Sequence, residues 1–360
     1  MKKLKMAIIG QGRSGRNIHG RFLKKEENNM FDVVAIAELI PERRERALNE
    51  YPGCVVYEDY RELFDRKDID LVLNDTYSDT HYSITKEFLE HGFNVLVEKP
   101  MARNYYECSD LMRIAKENNV ILAVFQQSLY APMFLKAMEI AKSGVLGEIQ
   151  QVNIRYNGLA RRWDWQTLQS RLAGSIYNTG PHPIGYGLAF LDFSDDFRVE
   201  YSKLASCLTS GDSDDYAKII LSAPGKPVVD IEISSIDAFC DYKFKIQGSK
   251  GTYISDLSKY SMKYIVDGEN PERAPEYYAI SDEEGMPTYC KEDLITHEVK
   301  DMPFVGGEDG SFGEATETYY KMLYKTLAEG APLEVTPEMI SKVVSVIETV
   351  HAQNPLKVRF

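Results

Sequence analysis

A glycine-rich segment near the start of the chain could bind phosphate. Residues 10–15 read Gly-Gln-Gly-Arg-Ser-Gly and follow an apolar run typical of a buried strand. In this spacing Gly10 permits a tight turn, Gly12 lets the backbone approach a pyrophosphate, and Gly15 lets the next helix pack closely on the strand. The start of that helix offers free N–H groups and a partial positive charge, so the pattern predicts a dinucleotide site. The residues expected to contact the dinucleotide are Gly10, Gln11, Gly12, Arg13, Ser14 and Gly15.

An acidic residue after the next predicted strand favours one dinucleotide over another. The run from Phe31 to Ala37 ends at Glu38, 23 residues past Gly15 and close to the roughly 20 expected for a ribose-binding carboxylate. Such a carboxylate accepts hydrogen bonds from the adenosine ribose hydroxyls and repels a 2′-phosphate, so we expect NAD as the cofactor. The neighbouring Arg43-Arg44 pair could instead clamp a phosphate, which keeps NADP as the alternative.

A lysine could meet the substrate at the end of a later strand. Glu98-Lys99-Pro100 follows the fourth strand predicted for a parallel sheet. Ligands of doubly wound sheets bind beyond the carboxyl ends of the strands, so Lys99 is expected where a nicotinamide and its substrate meet. Its ammonium could hydrogen-bond a substrate hydroxyl and lower the pKa of that hydroxyl, and Glu98 is expected beside the cofactor. The alternative is an ordinary surface lysine.

A histidine in a stiff segment could act as a base. His182 lies four residues after Asn178, between Pro181 and Pro183. Neutral imidazole is the commonest general base near neutral pH. Oxidation of an alcohol removes a proton from oxygen and a hydride from carbon, and His182, helped by Lys99, could serve the first of these steps. The alternative is a histidine that only satisfies a hydrogen bond within its loop.

Two further groups of residues are candidates for binding. Both tryptophans lie in the segment 161–165, Arg-Arg-Trp-Asp-Trp. The face of an indole ring suits a pyranose, and the charged side chains could reach hydroxyls or a carboxylate of a substrate. The alternative is that the two tryptophans only pack within the protein. The predicted substrate contacts are Lys99, Arg162, Trp163, Trp165, Asn178 and His182. After the third predicted strand, the predicted cofactor contacts are Thr76, Tyr77 and His81. The six histidines lie far apart without metal-ligand spacing, so we expect no metal site.

The elements that must position these residues change along the chain. In the first third, short apolar runs alternate with helical patterns, which predicts βαβ units and a parallel sheet. From residue 149 onward most segments alternate apolar with polar residues, as in an antiparallel sheet with one solvated face. Leu168–Ala173 and Pro183–Phe190 are predicted to be helical insertions. Residues 256–312 are predicted to be a long irregular excursion, and two helices follow it.

Length and composition limit the class of protein. The 360 residues exceed one typical domain of roughly 100–200 residues. We therefore predict a dinucleotide-binding domain over residues 1–128 and a substrate-binding and oligomerisation domain over 129–360, whose last helix could pack back on the first domain. A net charge of −13 argues against a nucleic-acid partner. No apolar stretch is long enough to span a membrane, and five scattered cysteines, one of them Cys290, suit reduced thiols in the cytoplasm.

Together the motifs resemble those of one family. Residues 10–15, residues 98–100 and the glycine-rich segment ending at His182 are similar to those of the Gfo/Idh/MocA oxidoreductases (glucose–fructose oxidoreductase, inositol dehydrogenase and relatives). Residues 246–252 resemble that family's Gly-x-x-Gly strand turn, so the resemblance covers nearly the whole chain. It implies a Rossmann domain and an α+β domain with a large open, mainly antiparallel sheet, which often forms a dimer or tetramer interface. It also implies that Lys99 and His182 occupy catalytic positions and that the substrate is a sugar, cyclitol or related polyol.

The chain departs from that family's pattern at two positions. Many members carry Asp four residues before the histidine and a second acid three residues after it, where this chain has Asn178 and Gly185. Asparagine cannot take a proton and adds no charge that would raise the pKa of His182, but it could still orient a substrate hydroxyl. We expect an NAD-dependent oxidoreductase acting on a hydroxyl of a sugar, glycoside or cyclitol. The alternatives are an NAD-dependent glycoside-cleaving enzyme that works by transient oxidation and elimination, and a non-catalytic NAD-binding sensor.

Overall fold

The computed structural model describes residues 2–272, 281, 283–286, 292–304 and 310–360, with the backbone alone at residues 310 and 311. Cys290 lies outside these ranges. Among the described residues no helix is long and apolar enough to cross a membrane.

Parallel strands form the sheet of the first half of the chain. Within the described residues they are β1 (Leu4–Ile9), β2 (Phe31–Ala37), β3 (Val55–Tyr57), β4 (Leu71–Asn74), β5 (Val95–Val97) and β6 (Leu122–Val124). They lie in the order β3-β2-β1-β4-β5-β6, and the strand order reverses between β1 and β4, which opens a crevice at their carboxyl ends. The sequence analysis did not predict β3, which is short and partly exposed. Lys99 therefore follows the fifth strand along the chain, not the fourth.

Helices cover this sheet and begin and end where local sequence dictates. They are α1 (Gly20–Leu23), which extends a π-helical turn at Gly15–His19, α2 (Pro41–Glu50), α3 (His81–Glu90), α4 (Tyr105–Glu117) and α5 (Pro132–Lys142). Helix α4 begins after Asn104, whose side chain accepts the N–H of Glu107 at 2.9 Å. Gly92 follows α3 with a φ of +82°, a conformation that glycine adopts without strain.

A second, mixed sheet carries the rest of the chain. In the described ranges its strands are β7 (Ile149–Asn157), β8 (Arg198–Ala205), β9 (Tyr216–Ser222), β10 (Val228–Ser234), β11 (Phe244–Gly248), β12 (Gly251–Ser255), β13 (Lys259–Tyr264) and β14 (His297–Pro303). Their order is β14-β13-β12-β11-β7-β10-β9-β8, and the neighbours are antiparallel except for β7 with β10. The prediction of irregular structure over 256–312 was wrong at β13 and β14. In β13, Tyr260, Met262 and Tyr264 alternate with polar residues and pack partly against the core, a period-2 pattern that the sequence analysis missed. β14 lies at the edge of the sheet, is mostly exposed and lacks such an alternation.

The remaining helices join the two sheets. They are α6 (Ser175–Asn178), α7 (Pro181–Phe190), α8 (Gly310–Glu329) and α9 (Pro337–Gln353). The predicted helix at 168–173 is instead a pair of 3₁₀ turns, Trp165–Thr167 and Gln169–Arg171. Helix α9 starts after Thr336, and it packs on α4, α7 and β8. Helix α8 docks on the parallel sheet, where the hydroxyl of Tyr319 donates to the carbonyl oxygen of Val124 at 2.6 Å.

Candidate active site

The glycine-rich loop is tightly packed at both ends and open in the middle. Gly10 has a φ of +96°, and a Cβ there would lie 2.4 Å from the carbonyl oxygen of Asp75. A Cβ on Gly15 would lie 2.6 Å from the Asp75 carboxylate. At Gly12 the nearest atom to such a Cβ is Nη1 of Arg43, at 3.9 Å. Packing therefore requires glycine at both ends, whereas Gly12 leaves the backbone bare for a ligand.

The carboxylate of Glu38 lies beside this loop at the end of β2. One oxygen accepts the backbone N–H of Gln11 at 2.7 Å, and the other accepts that of Ile40 at 3.0 Å. A carboxylate oxygen can accept two hydrogen bonds, so each keeps capacity for a ribose hydroxyl. The Gln11 side chain is buried, and neither its Nε2 nor its Oε1 has a partner within the described part of the chain. The loop and the carboxylate therefore fit a dinucleotide, with the carboxylate placed to accept hydrogen bonds from its ribose.

The two arginines that follow Glu38 have different contacts. Arg44 donates to the carbonyl oxygens of Glu38 and Leu39 at 2.6 and 2.9 Å. Arg43 places Nη1 3.5 Å from the Glu38 carboxylate and remains partly exposed. Arg44 is therefore engaged in the connection between β2 and α2, and Arg43 is the one that faces the carboxylate.

The residues after β4 connect the dinucleotide loop to its surroundings. His81 is buried, and its ring nitrogens lie 2.7 Å from the carbonyl oxygen of Pro100 and 3.3 Å from that of Thr76. Burial lowers the pKa of His81. The exposed ring of Tyr77 meets that of Trp165 edge-on at 5.0 Å. His81 thus ties together the loops after β4 and β5, and Tyr77 reaches the second half of the chain. The cofactor contacts assigned to these residues stay predictions.

Lys99 connects the two halves of the molecule. Its Nζ donates to the backbone carbonyl oxygen of Asn178 in α6 at 3.0 Å, and its backbone N–H donates to the carboxylate of Glu98, also at 3.0 Å. Burial lowers the pKa of Lys99; the negative charge of Glu98 opposes this, and the positive charges of Arg162 and Arg13 add to it. The ammonium is therefore held in the cleft between the two sheets.

His182 lies in the first turn of α7 and is a neutral imidazole. Its Nδ1 is buried and has no hydrogen-bond partner among the residues that the structure describes. Burial, followed by the positive charge of Lys99, lowers the pKa of His182 to about 3. A neutral imidazole has a free ring nitrogen that can accept the proton of a hydroxyl, as a general base does, but a pKa of about 3 makes it a weaker base than an ordinary histidine.

Neutral amides lie at Asn178 and beside Gly185, the two positions where many family members carry acids. The side-chain oxygen of Asn178 accepts Nε2 of Gln166 at 3.1 Å. A Cβ at Gly185 would lie 3.2 Å from Nε2 of Gln126, whose amide donates to the carbonyl oxygen of Pro181 at 2.7 Å. The Gln126 side chain therefore occupies the space beside Gly185, and both contacts are uncharged.

A small cleft extends from Asn178 into the second half of the chain. Arg162, Gln166 and Asp214 line it together with Asn178. One carboxylate oxygen of Asp214 accepts the N–H of Ile176 at 2.8 Å. The other is buried without a partner in the described residues, and burial raises the pKa of Asp214 to about 7. The cleft therefore offers the guanidinium of Arg162, the amides of Gln166 and Asn178, and the carboxyl group of Asp214, whose pKa is near neutral pH.

The two tryptophans lie in different surroundings. Trp165 contacts Tyr77 across the junction of the two halves. Trp163 is 73% exposed, and the guanidinium of Arg161 lies 4.4 Å from its ring centroid. The structure therefore places Trp165 at the junction of the two halves and Trp163 at the surface, and substrate contact by either stays a prediction.

The sequence analysis missed a buried pair behind Lys99. His19 Nε2 lies 3.0 Å from the Glu98 carboxylate, and His19 Nδ1 lies 2.7 Å from the hydroxyl of Tyr320. A histidine four residues after Gly15, among apolar neighbours, was the available signal for His19. Tyr320 offered no local signal, since it comes from α8, 301 residues away along the chain.

The fold and the site define a class of protein: a Rossmann dinucleotide-binding domain whose strand-end lysine contacts the helix that precedes a buried, neutral histidine of the second half of the chain. Residues 4–126 match the model of the oxidoreductase family with an NAD-binding Rossmann fold, and residues 134–254 match the Gfo/Idh/MocA C-terminal domain. The chain belongs to the Gfo/Idh/MocA family of oxidoreductases, which confirms the resemblance, the enzyme class and the fold predicted from sequence.

Relatives named for an activity include inositol dehydrogenases and a hydratase of an anhydro-sugar acid. The chain is 25% identical over 350 residues to scyllo-inositol 2-dehydrogenase (NADP(+)) of Bacillus subtilis, covering 96% of this chain and 92% of that protein. It is 27% identical over 181 residues to 2,7-anhydro-N-acetylneuraminate hydratase of Mediterraneibacter gnavus, covering 49% and 47%. A solved structure of a probable oxidoreductase, yhhX, shares the fold with a TM-score of 0.78 and 22% identity over 98% of both chains.

Proposed function

We propose that this protein is an NAD-dependent oxidoreductase that transfers a hydride between the nicotinamide and a hydroxyl carbon of a sugar, glycoside or cyclitol. The observation that carries the proposal is the contact of Lys99 Nζ with the carbonyl oxygen of Asn178 at 3.0 Å. This contact brings the strand-end lysine to the short helix that directly precedes His182. The polyol-processing relatives support the substrate class.

The proposed roles follow from the charge of each group. His182 is neutral, so it can accept the hydroxyl proton during oxidation and return it during reduction. Lys99 hydrogen-bonds the same hydroxyl and stabilises the developing oxyanion. Asn178, Arg162 and Trp165 would orient the substrate from the second half of the chain. Bound NAD would accept the hydride.

The buried Glu38 carboxylate supports NAD over NADP. Its oxygens already hold the N–H groups of Gln11 and Ile40, and their remaining capacity suits ribose hydroxyls. A 2′-phosphate in that place would meet a negative charge. Arg43 and the NADP(+) named for the Bacillus subtilis relative are the observations that favour the alternative.

A substrate screen with matched variants tests the proposal. Neutral sugars, cyclitols, sugar acids and glycosides are offered with NAD, and NADH formation is followed by absorbance. His182→Ala and Lys99→Met should each lower turnover by roughly 10²–10⁴-fold and leave NAD affinity unchanged. His91→Ala is the matched control, because His91 bonds the carbonyl oxygen of Glu87 on α3, outside the site. Near-normal turnover in either site variant would refute the assigned role.

A second candidate function is elimination through transient oxidation, as in a glycoside-cleaving enzyme. The similarity to a hydratase of an anhydro-sugar acid favours it. In that case the same His182 would remove the acidified C–H proton next to the transient ketone. Product formation from a glycoside without net NADH release, with NAD retained through gel filtration, would identify this function.

We also propose a homodimer or homotetramer through the second sheet. Gly187 of α7 lies against Val229 and Ile231, so that face of the sheet is covered by helix. Asp230, between them, faces the other way and pairs with Arg155 at 2.8 Å and Lys218 at 2.6 Å. Light scattering after gel filtration tests this, and a monomer at micromolar concentration would contradict it.

A further inference from the structure

A chain of buried hydrogen bonds runs behind Lys99. The hydroxyl of Tyr320 lies 2.7 Å from His19 Nδ1, and His19 Nε2 lies 3.0 Å from one carboxylate oxygen of Glu98. The other carboxylate oxygen of Glu98 accepts the backbone N–H of Lys99 at 3.0 Å. His19 and Tyr320 are fully buried, and Glu98 is 5% exposed. The hydrogen bonds therefore link three parts of the fold: the π-helical turn Gly15–His19, the end of β5 and helix α8.

The chemistry of the groups sets the direction of these bonds. A carboxylate can only accept, so His19 donates from Nε2; in the neutral ring this leaves Nδ1 to accept the hydrogen bond of the Tyr320 hydroxyl. Burial raises the pKa of Tyr320 well above its usual value, so it remains a donor. Burial opposes ionisation of Glu98, but the hydrogen bond from His19 and the charge of Lys99 leave its pKa below the ordinary value. Each polar group in the chain has a partner.

Local structure explains how His19 reaches Glu98. The first turn after the glycine loop, Gly15–His19, is π-helical, a form that frequently occurs at functional sites. The His19 ring packs on Phe125 with ring centroids 4.2 Å apart, and the Tyr320 ring stacks on Phe22 at 4.6 Å. The imidazole is therefore enclosed by aromatic rings, with its two nitrogens directed at the hydroxyl and the carboxylate.

A neighbouring acid differs in charge from Glu98. Asp75 is buried beside Glu98 and His19, and their ligand atoms lie within 4.8 Å of one another. Burial, followed by the negative charge of Glu98, raises the pKa of Asp75, so Glu98 is the ionised member of the pair. Both nitrogens of His19 are engaged in hydrogen bonds, which favours a hydrogen-bonded cluster over a cation site.

We propose that His19 and Tyr320 are positioning residues for Lys99. They keep the carboxylate of Glu98 ionised and in place, and this negative charge keeps the Lys99 ammonium charged where the substrate hydroxyl binds. The inference rests on the proposed function for the role of Lys99, but the electrostatic link itself does not depend on turnover. It also makes the charge state of the site depend on the docking of α8.

The test measures the titration of Lys99 directly. Competitive acetylation with acetic anhydride at a series of pH values, read by mass spectrometry of the Lys99 peptide, gives the pH at which this amine becomes reactive. His19→Asn removes the donor to Glu98, so the carboxylate becomes easier to protonate and Lys99 loses its counter-charge. The midpoint for Lys99 should fall by about 1 pH unit. Tyr320→Phe should move it in the same direction by a smaller amount.

Two further variants separate positioning from packing. His19→Gln retains an amide donor that can reach Glu98, so it should restore much of the wild-type midpoint. Tyr319→Phe removes an equally buried hydroxyl from the same helix, one that bonds the carbonyl oxygen of Val124, so it should leave the midpoint unchanged. If His19→Asn fails to fold, the Lys99 midpoints of Tyr320→Phe and Tyr319→Phe are compared instead, and only the first should differ from wild type.

The other charged or titratable groups near Glu98 and Lys99 stay constant in His19→Asn and Tyr320→Phe; they are Asp75, His81, Arg13, Arg162, Tyr319 and His182. Tyr319 is itself buried near Glu98, so Tyr319→Phe controls for the loss of a tyrosine hydroxyl close to that carboxylate. The same Lys99 midpoint in wild type, His19→Asn and Tyr320→Phe would overturn the inference, as would an equal shift in Tyr319→Phe. Full turnover in Lys99→Met would instead refute the proposed function and leave the acetylation result unaffected.

Discussion

The charge of His182 is the property that the proposed chemistry most depends on. Burial and the charge of Lys99 lower the pKa of His182 to about 3, against an ordinary value of 6.5. This difference corresponds to a free energy on the order of 5 kcal/mol in favour of the neutral ring. At about pH 5 such a histidine is only about 1% protonated, whereas an ordinary one is about 97% protonated. We therefore predict that His182 shows no titration between about pH 5 and pH 8.

Neutralising the lysine tests the cause of this depression. In Lys99→Met the like charge is gone, so the pKa of His182 should rise by about 1 while burial still holds it below the ordinary value. Proton NMR of the imidazole Cε1–H measures both midpoints, with His182→Gln assigning the resonance. The matched control is Lys136→Met, which removes an ammonium that pairs with Glu139 on α5.

The refuting result is clear-cut. A wild-type midpoint between about pH 6 and pH 7 would show that burial and Lys99 do not depress the pKa of His182, and the predicted absence of titration between about pH 5 and pH 8 would be refuted. An unchanged midpoint in Lys99→Met would show that the ammonium does not act on the ring. An equal change in Lys136→Met would assign the effect to net charge instead of to proximity.

Three further predictions follow from local geometry. Gly10→Ala should lower the free energy of unfolding, measured with urea, by more than about 1 kcal/mol and abolish NAD binding. The reason is that its Cβ would lie 2.4 Å from the Asp75 carbonyl oxygen, on a residue with a φ of +96°. An unchanged urea midpoint would contradict this packing. Glu38→Ala should weaken NAD binding by about 10-fold or more, since it removes hydrogen bonds to a charged acceptor. It should also reduce the difference in affinity between NAD and NADP, as measured by calorimetric titration. An unchanged ratio of the two affinities would show that other residues select the cofactor. Burial lowers the pKa of His351 to about 4, so the folded state binds fewer protons than the unfolded chain, and the free energy of unfolding should fall as pH drops from about 6.5 towards 4. His351→Gln should make this pH dependence less steep. The same dependence of unfolding free energy on pH in both proteins would exclude His351 as its source.

The sequence by itself predicted the parts of the site that depend on short-range pattern. A glycine loop after an apolar strand, an acid at the end of β2 and a lysine at the end of β5 are recognisable because backbone conformation and strand ends impose local rules on residue type. The missed strands show the limit of such rules. The short strand Val55–Tyr57 and the edge strand β14 bury too little side chain to impose an apolar pattern. Strand β13 does alternate apolar with polar residues, but the acidic and glycine-rich stretch around it hid this pattern.

Only the tertiary structure decided which of these residues act together and with what charge. Lys99 meets the carbonyl oxygen of Asn178 across 79 residues, and His19 meets Tyr320 across 301. Such contacts depend on how the helices dock on both sheets, which no local spacing encodes. The neutral state of His182, which lies in α7, likewise follows from burial and from the charge of a lysine just after β5. Because solvation and distance between charges are set by the packed molecule, the residue types could be read from sequence but their protonation could not.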